Sequence, residues 1–116
     1  MPFDLRWTSQ AQRPYNTLRA IAEAARAGRE VKGRAKSSKA EGLFRQVVKA
    51  VSLLRENPKH PGLNTHEYGS LAHPYDPEAK VWEAYLQNNT PGAYRLFWCY
   101  GPEKGQIMII AITPHP

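Results

Sequence analysis

Cysteine is nearly absent from this chain. Cys99 stands alone among 116 residues, which rules out an internal disulfide and a thiolate metal cluster. Long apolar runs are missing as well. The longest, Ile107 to Ile112, falls far short of a membrane span. The opening MPFDLRWTSQ lacks the apolar centre of a signal peptide. These gaps predict a protein of the reducing cytosol with no membrane partner. No glycine loop of the phosphate-cradling kind is present. His60, His66 and His73 fall at intervals without a metal-ligand signature, so neither metal nor cofactor is expected.

Charge of one sign is also scarce in each half. Residues 1–60 hold thirteen Lys/Arg against five Asp/Glu, a balance of +8. Residues 61–116 hold three against five, a balance of −2. A basic half of this kind draws polyanions, nucleic acid first, unless it is simply a solvated helix face.

The length predicts one domain spanning residues 1–116. Phe3, Leu5 and Trp7 alternate with polar neighbours, the period of a short half-buried strand. Thr8-Ser9 offers a helix cap, with Ser9 and Gln12 at capping-box spacing. Pro14 argues for a kink or for a later start near Arg13. Tyr15, Leu18, Ala22 and Ala25 then form one apolar stripe. The basic segment from Gly28 to Ala40 either extends this helix or links it to the next. Its Arg34, Lys36 and Lys39 are candidate phosphate contacts; the alternative is a flexible solvated linker. Ser38 and Glu41 have capping-box spacing for a second helix, whose apolar face runs from Leu43 to Leu54. Asn57-Pro58 ends it. A Pro/Gly/His-rich connection follows, with one short strand expected around Glu67 to Leu71.

The last third reads as three strands, 81–86, 93–100 and 106–113, joined by turns too short for helical crossovers. They must therefore pair antiparallel. The nearly all-apolar 106–113 belongs in the sheet interior. The fold class is α+β: an N-terminal strand, a two-helix hairpin and a three-stranded antiparallel meander forming one sheet.

That order resembles the RelE/ParE toxin superfamily. More specific are RENP at the end of the second helix, the VWEAY strand, and PGAYRLFWCYGPEKGQIMIIAITPHP, whose Tyr-Arg pair opens the middle meander strand. The resemblance implies the toxin of a type II toxin–antitoxin pair, bound and silenced by an antitoxin, as a homodimer or a toxin–antitoxin hetero-oligomer. RelE-type members cleave mRNA on the ribosome without metal, whereas ParE-type members poison DNA gyrase and other relatives have no known toxicity. The chain departs from the ribonucleases in having only Lys80, Arg95 and Lys104 as basic residues in the meander.

Cutting RNA without metal needs a base for the 2′-OH, a cation for the dianionic phosphorane and an acid for the leaving 5′-oxygen. The product is a 2′,3′-cyclic phosphate. Glu83 suits the base, Arg95 has the planar fork for phosphate, and His115 suits the acid. Pairing Glu83 with Arg95 across the hairpin puts both with Tyr85 on an open face, and Trp82, Tyr94, Leu96 and Trp98 toward the helices. Tyr85 is available to stack on a base, and Lys80 to hold phosphate. The bland alternatives are a structural Glu83–Arg95 ion pair and a disordered His115.

Overall fold

The alternation of Phe3, Leu5 and Trp7 does produce a strand, β1 (Asp4–Trp7). Helix α1 (Ser9–Val31) follows at once, capped by Thr8, whose Oγ1 accepts from Ala11 N. The start is thus earlier than Pro14 alone suggests. The reason lies in the sheet: Thr8 N donates to the carbonyl of Ile109, and its hydroxyl donates to that of Ile110. Tertiary contacts fix the helix entry, and Pro14 is carried inside α1 at the loss of one helical hydrogen bond. The coordinates are a computed structural model that describes residues 2–33, 38–87 and 92–114.

Helix α2 (Lys39–Glu56) begins with a complete capping box: Ser38 Oγ accepts from Glu41 N and Glu41 Oε2 accepts from Ser38 N. Glu41 also receives Arg29 Nε at 2.9 Å, which ties the end of α1 to the start of α2. The backbone N–H of Ser38, followed by Arg29, holds the Glu41 carboxyl below its ordinary value of 4.5. A depressed carboxylate stabilises the fold above its unfolded value, and that contribution is lost as pH falls through the folded value. Thermal unfolding followed from pH 6 to pH 3 should therefore show a shallower decline for Glu41→Gln than for the parent chain, with the gap closing at the acid end.

Beyond the C-cap Asn57 come a 3-10 turn at Pro61–Leu63 and the two-residue strand β2 (His66–Glu67). This strand sits at the start of the stretch expected for it and is shorter. Strands β3 (Trp82–Tyr85), β4 (Tyr94–Tyr100) and β5 (Gln106–Pro114) complete a five-stranded sheet ordered β1-β5-β4-β3-β2, in which the short β2 adds an edge to the four strands of the expected sheet. β1 runs parallel to β5, and all other pairs are antiparallel. As its apolar sequence requires, β5 is internal. Gly105, at φ +82°, takes the left-handed position in the β4–β5 turn that a side chain would resist.

The hairpin register differs from the expected one. Tyr85, not Glu83, lies opposite Arg95, and Glu83 lies opposite Phe97. The slip is two residues, so every side chain keeps its face. It brings Trp82 opposite Trp98, with stacked rings 6.1 Å apart, and aromatic pairs of this kind stabilise a register. Between β4 and β5 the pairing shifts at Phe97/Trp98, leaving Ile110 as an extra residue, a β-bulge.

Both faces of the sheet are covered. Val47, Ala50 and Leu54 of α2 and Ala11 of α1 pack on Leu96, Trp98, Ile107 and Ile109. On the other side Val81, Phe97, Cys99, Met108 and Ile110 form a second cluster under Tyr68 and Leu71. His73 pins this covering segment. Its Nδ1 accepts from Tyr75 N and Asp76 N, which leaves the proton on Nε2, 3.3 Å from the carbonyl of Tyr100.

Candidate functional site

The hydrophobic pattern of β3 and β4 sends Trp82, Ala84, Leu96 and Trp98 toward the helices. It therefore sends Glu83, Tyr85, Arg95 and Phe97 to the other face. There Glu83 Oε2 lies 3.5 Å from Arg95 Nε, and Arg95 Cζ lies 4.0 Å from the centre of the Tyr85 ring. The expected grouping of Glu83, Tyr85 and Arg95 is present. Its setting is not the open one expected: Arg95 is 1% exposed and Glu83 6%. The aromatic ring over the guanidinium and the cover of the outer sheet face account for this. Desolvated charges of this kind require each other, because either one alone would be buried without compensation.

His66 is the addition. It lies directly across from Glu83 in β2, exposed, with its ring 5.2 Å from that of Tyr85. Imidazole, phenol and guanidinium thus follow one another across three adjacent strands. No spacing rule points to His66, because its neighbours are reached across the long connection from Glu67 to Trp82.

The remaining candidates separate. Lys39, the first residue of α2, lines a polar cleft of about 530 Å³ with Tyr85, Gln46 and Gln87. Two of the proposed substrate contacts, Lys39 and Tyr85, therefore share a rim. Lys80 sits elsewhere, near the Trp98 end of the hairpin, with Nζ 3.9 Å from Glu67 Oε1 and 5.9 Å from the Trp82 ring. Arg34, Lys36 and His115 lie outside the described residues, as does the turn from Asn88 to Pro91. Strand β5 ends with Thr113 opposite Arg95 and Pro114 opposite Tyr94, so the chain reaches residue 114 at the Arg95 end of the sheet.

Among the described residues no three His, Cys, Asp or Glu side chains come together as a metal site, and no helix is long and apolar enough to cross a membrane. Cys99 is fully buried, and burial pushes its thiol up to about 11. It stays protonated at neutral pH, and the thiol is the unreactive form. A thiol reagent at pH 8 should label Cys99 only after denaturant is added, as read by intact mass.

Two solved structures match this architecture from end to end. A YoeB/ParE toxin from Agrobacterium tumefaciens aligns over 97% of this chain and 99% of its own, with a TM-score of 0.60 at 9% identity. A chain of the archaeal RelE-RelB complex from Pyrococcus horikoshii OT3 aligns over 98% and 96%, with a TM-score of 0.56 at 14% identity. The chain has the fold of the RelE/ParE toxins. No protein-family model matches it, and no curated protein matches it.

Proposed function

We propose that this chain is the toxin of a toxin–antitoxin pair, held silent by a cognate antitoxin and, when free, cleaving mRNA on the ribosome without metal. The observation that supports this is the cluster of Glu83, Tyr85 and Arg95 on one sheet face of a fold shared with RelE and YoeB/ParE toxins. One of those relatives is solved as a complex with RelB. In the reaction Glu83 takes the 2′-OH proton and O2′ attacks phosphorus. Arg95 stabilises the phosphorane, and the leaving 5′-oxygen is protonated by His115. The products are a 2′,3′-cyclic phosphate and a 5′-hydroxyl. Tyr85 must swing off the guanidinium to admit the phosphate, and Lys39 waits on the adjoining rim.

The burial of Arg95 favours a second reading. Here Glu83–Arg95 is a structural pair, and the chain acts by binding, either to gyrase or to another partner. Tightly controlled expression in a bacterium without antitoxin separates the two. The first reading expects translation to stop and transcripts to accumulate cyclic-phosphate ends, with Glu83→Gln abolishing both. Unaffected growth and translation sink it. Inhibited supercoiling by purified gyrase with intact transcripts selects the second.

A further inference from the structure

On the face opposite the Glu83–Arg95 pair, past the end of α2, lies a second cleft, of about 690 Å³. Its sheet wall is Trp82, Trp98 and Tyr100, with Trp98 meeting Tyr100 edge-on at 5.1 Å. Its loop wall comes from the segment after α2 and includes Lys59, His60 and Thr65. No carboxylate lines it.

Every polar side chain that lines this cleft can donate a hydrogen bond. Trp98 is 1% exposed, and its Nε1 is buried with no hydrogen-bond partner among the described residues. Thr65 Oγ1 is buried in the same condition. His60 Nδ1 accepts from Gly62 N at 2.9 Å, which puts the neutral ring's proton on Nε2 as a further donor. Lys59 is exposed on the rim. An indole N–H can only donate, and a buried donor left unmatched is costly. Aromatic walls, unmatched donors and a cation without a nearby acid describe a receptor for a flat, acceptor-rich anion.

We propose that this cleft binds a nucleotide, its base against Trp82 and Tyr100 and its phosphate at Lys59 and His60. This rests on the reading of the chain as an RNA-directed protein and extends it to a second contact. His66 joins the two places, since it lines the cleft and also packs on Tyr85. A single strand crossing the β2 edge at His66 would present one nucleotide to Tyr85 and a flanking one to the cleft. A base stacked on aromatic side chains is held without sequence preference.

The test uses the whole chain and two probes that cannot be cut, adenosine 5′-monophosphate and a 2′-O-methyl hexanucleotide. Quenching of tryptophan fluorescence reports binding, with Trp82 and Trp98 in the cleft. Tyr100→Ala is expected to weaken binding about tenfold, the scale of one lost stacking partner. Lys59→Ala should weaken the hexanucleotide and reduce its salt dependence by about one ion. Thr65→Val should weaken both probes. Lys32→Ala, the same charge loss at the far end of the helix pair, serves as the comparison. A tighter hexanucleotide identifies a strand as the ligand, and equal affinities identify a free nucleotide. Absence of quenching by both probes overturns the proposal. So does Lys59→Ala or Tyr100→Ala no weaker than Lys32→Ala, or saturation by a proline-rich peptide and by neither nucleotide. Binding here with no RNA cleavage in cells removes the nuclease reading alone. Cleavage in cells with unaltered binding in the cleft variants removes this one alone.

Discussion

Arg95→Ala is expected to cost about 3–5 kcal/mol of folding stability, the scale of breaking a buried ion pair from one side. For a domain of this size that is a fall in Tm of roughly 10–20 °C. The loss has two sources. Glu83, 6% exposed with its Oε2 3.5 Å from the guanidinium, would keep a buried charge without its counterpart. Tyr85 would lose the cation packed 4.0 Å from its ring. The double variant Glu83→Leu/Arg95→Met should recover most of the stability, because apolar replacement of both partners is often neutral or better. Thermal unfolding of the single and double variants checks this. If the double variant is as unstable as Arg95→Ala, the ion pair is not the source of the loss. The same pair of variants sharpens the functional question. A stable double variant that no longer arrests growth assigns chemistry to these side chains, which Arg95→Ala alone, being unstable, could not do.

Trp98→Ala is the second large effect, expected at about 3–5 kcal/mol. Trp98 is 1% exposed, lies in the helix-side core, and touches both Trp82 and Tyr100. Removing it opens a hole between sheet and α2 that Leu54 and Leu63, held by helix and turn, cannot fill. Trp98→Phe should cost only a fraction of this. It keeps most of the ring contact, and the lost N–H has no acceptor among the described residues. Equal losses for alanine and phenylalanine in denaturant titrations would show that the indole nitrogen, rather than ring volume, matters.

What the sequence made legible was local or followed a strict period. Ser38 and Glu41 announce their cap because the motif closes within four residues. Asn57-Pro58 stops α2 by backbone sterics. The facing of Glu83, Tyr85 and Arg95 followed from a period of two, which is why it survived a register slip of two residues. A period of two leaves pairings two residues apart equally open, and the Trp82–Trp98 stack goes with the one observed. The sequence offers two starts for α1, one capped at Thr8-Ser9 and one near Arg13, because Pro14 is a local signal, whereas the Thr8 contacts to β5 that decide for the first join residues about a hundred positions apart. His66 and the segment over the outer sheet face were hidden for a related reason. Tyr68 and Leu71 are isolated apolar residues in a Pro/Gly-rich stretch, and isolated residues have no period to read. The burial of Arg95 depends on that same long-range packing.

The extra residue Ile110 works as a parity switch. Upstream of it Ile107 and Ile109 point to the helices. Ile110 and Ala111 both fall on the outer side, after which Ile112 returns to the helix side and Thr113 lies beside Arg95. Thr8 holds the carbonyls of Ile109 and Ile110 at this point, so the count is clamped from the other end of the chain. Deleting Ile110 would close the bulge and restore strict alternation, with Ala111 still outward, Ile112 still toward the helices and Thr113 still beside Arg95. The loss would fall instead on the outer cluster, which gives up the Ile110 side chain, and on the carbonyl that Thr8 holds. Sequences that keep this fold should therefore occur both with and without the extra residue.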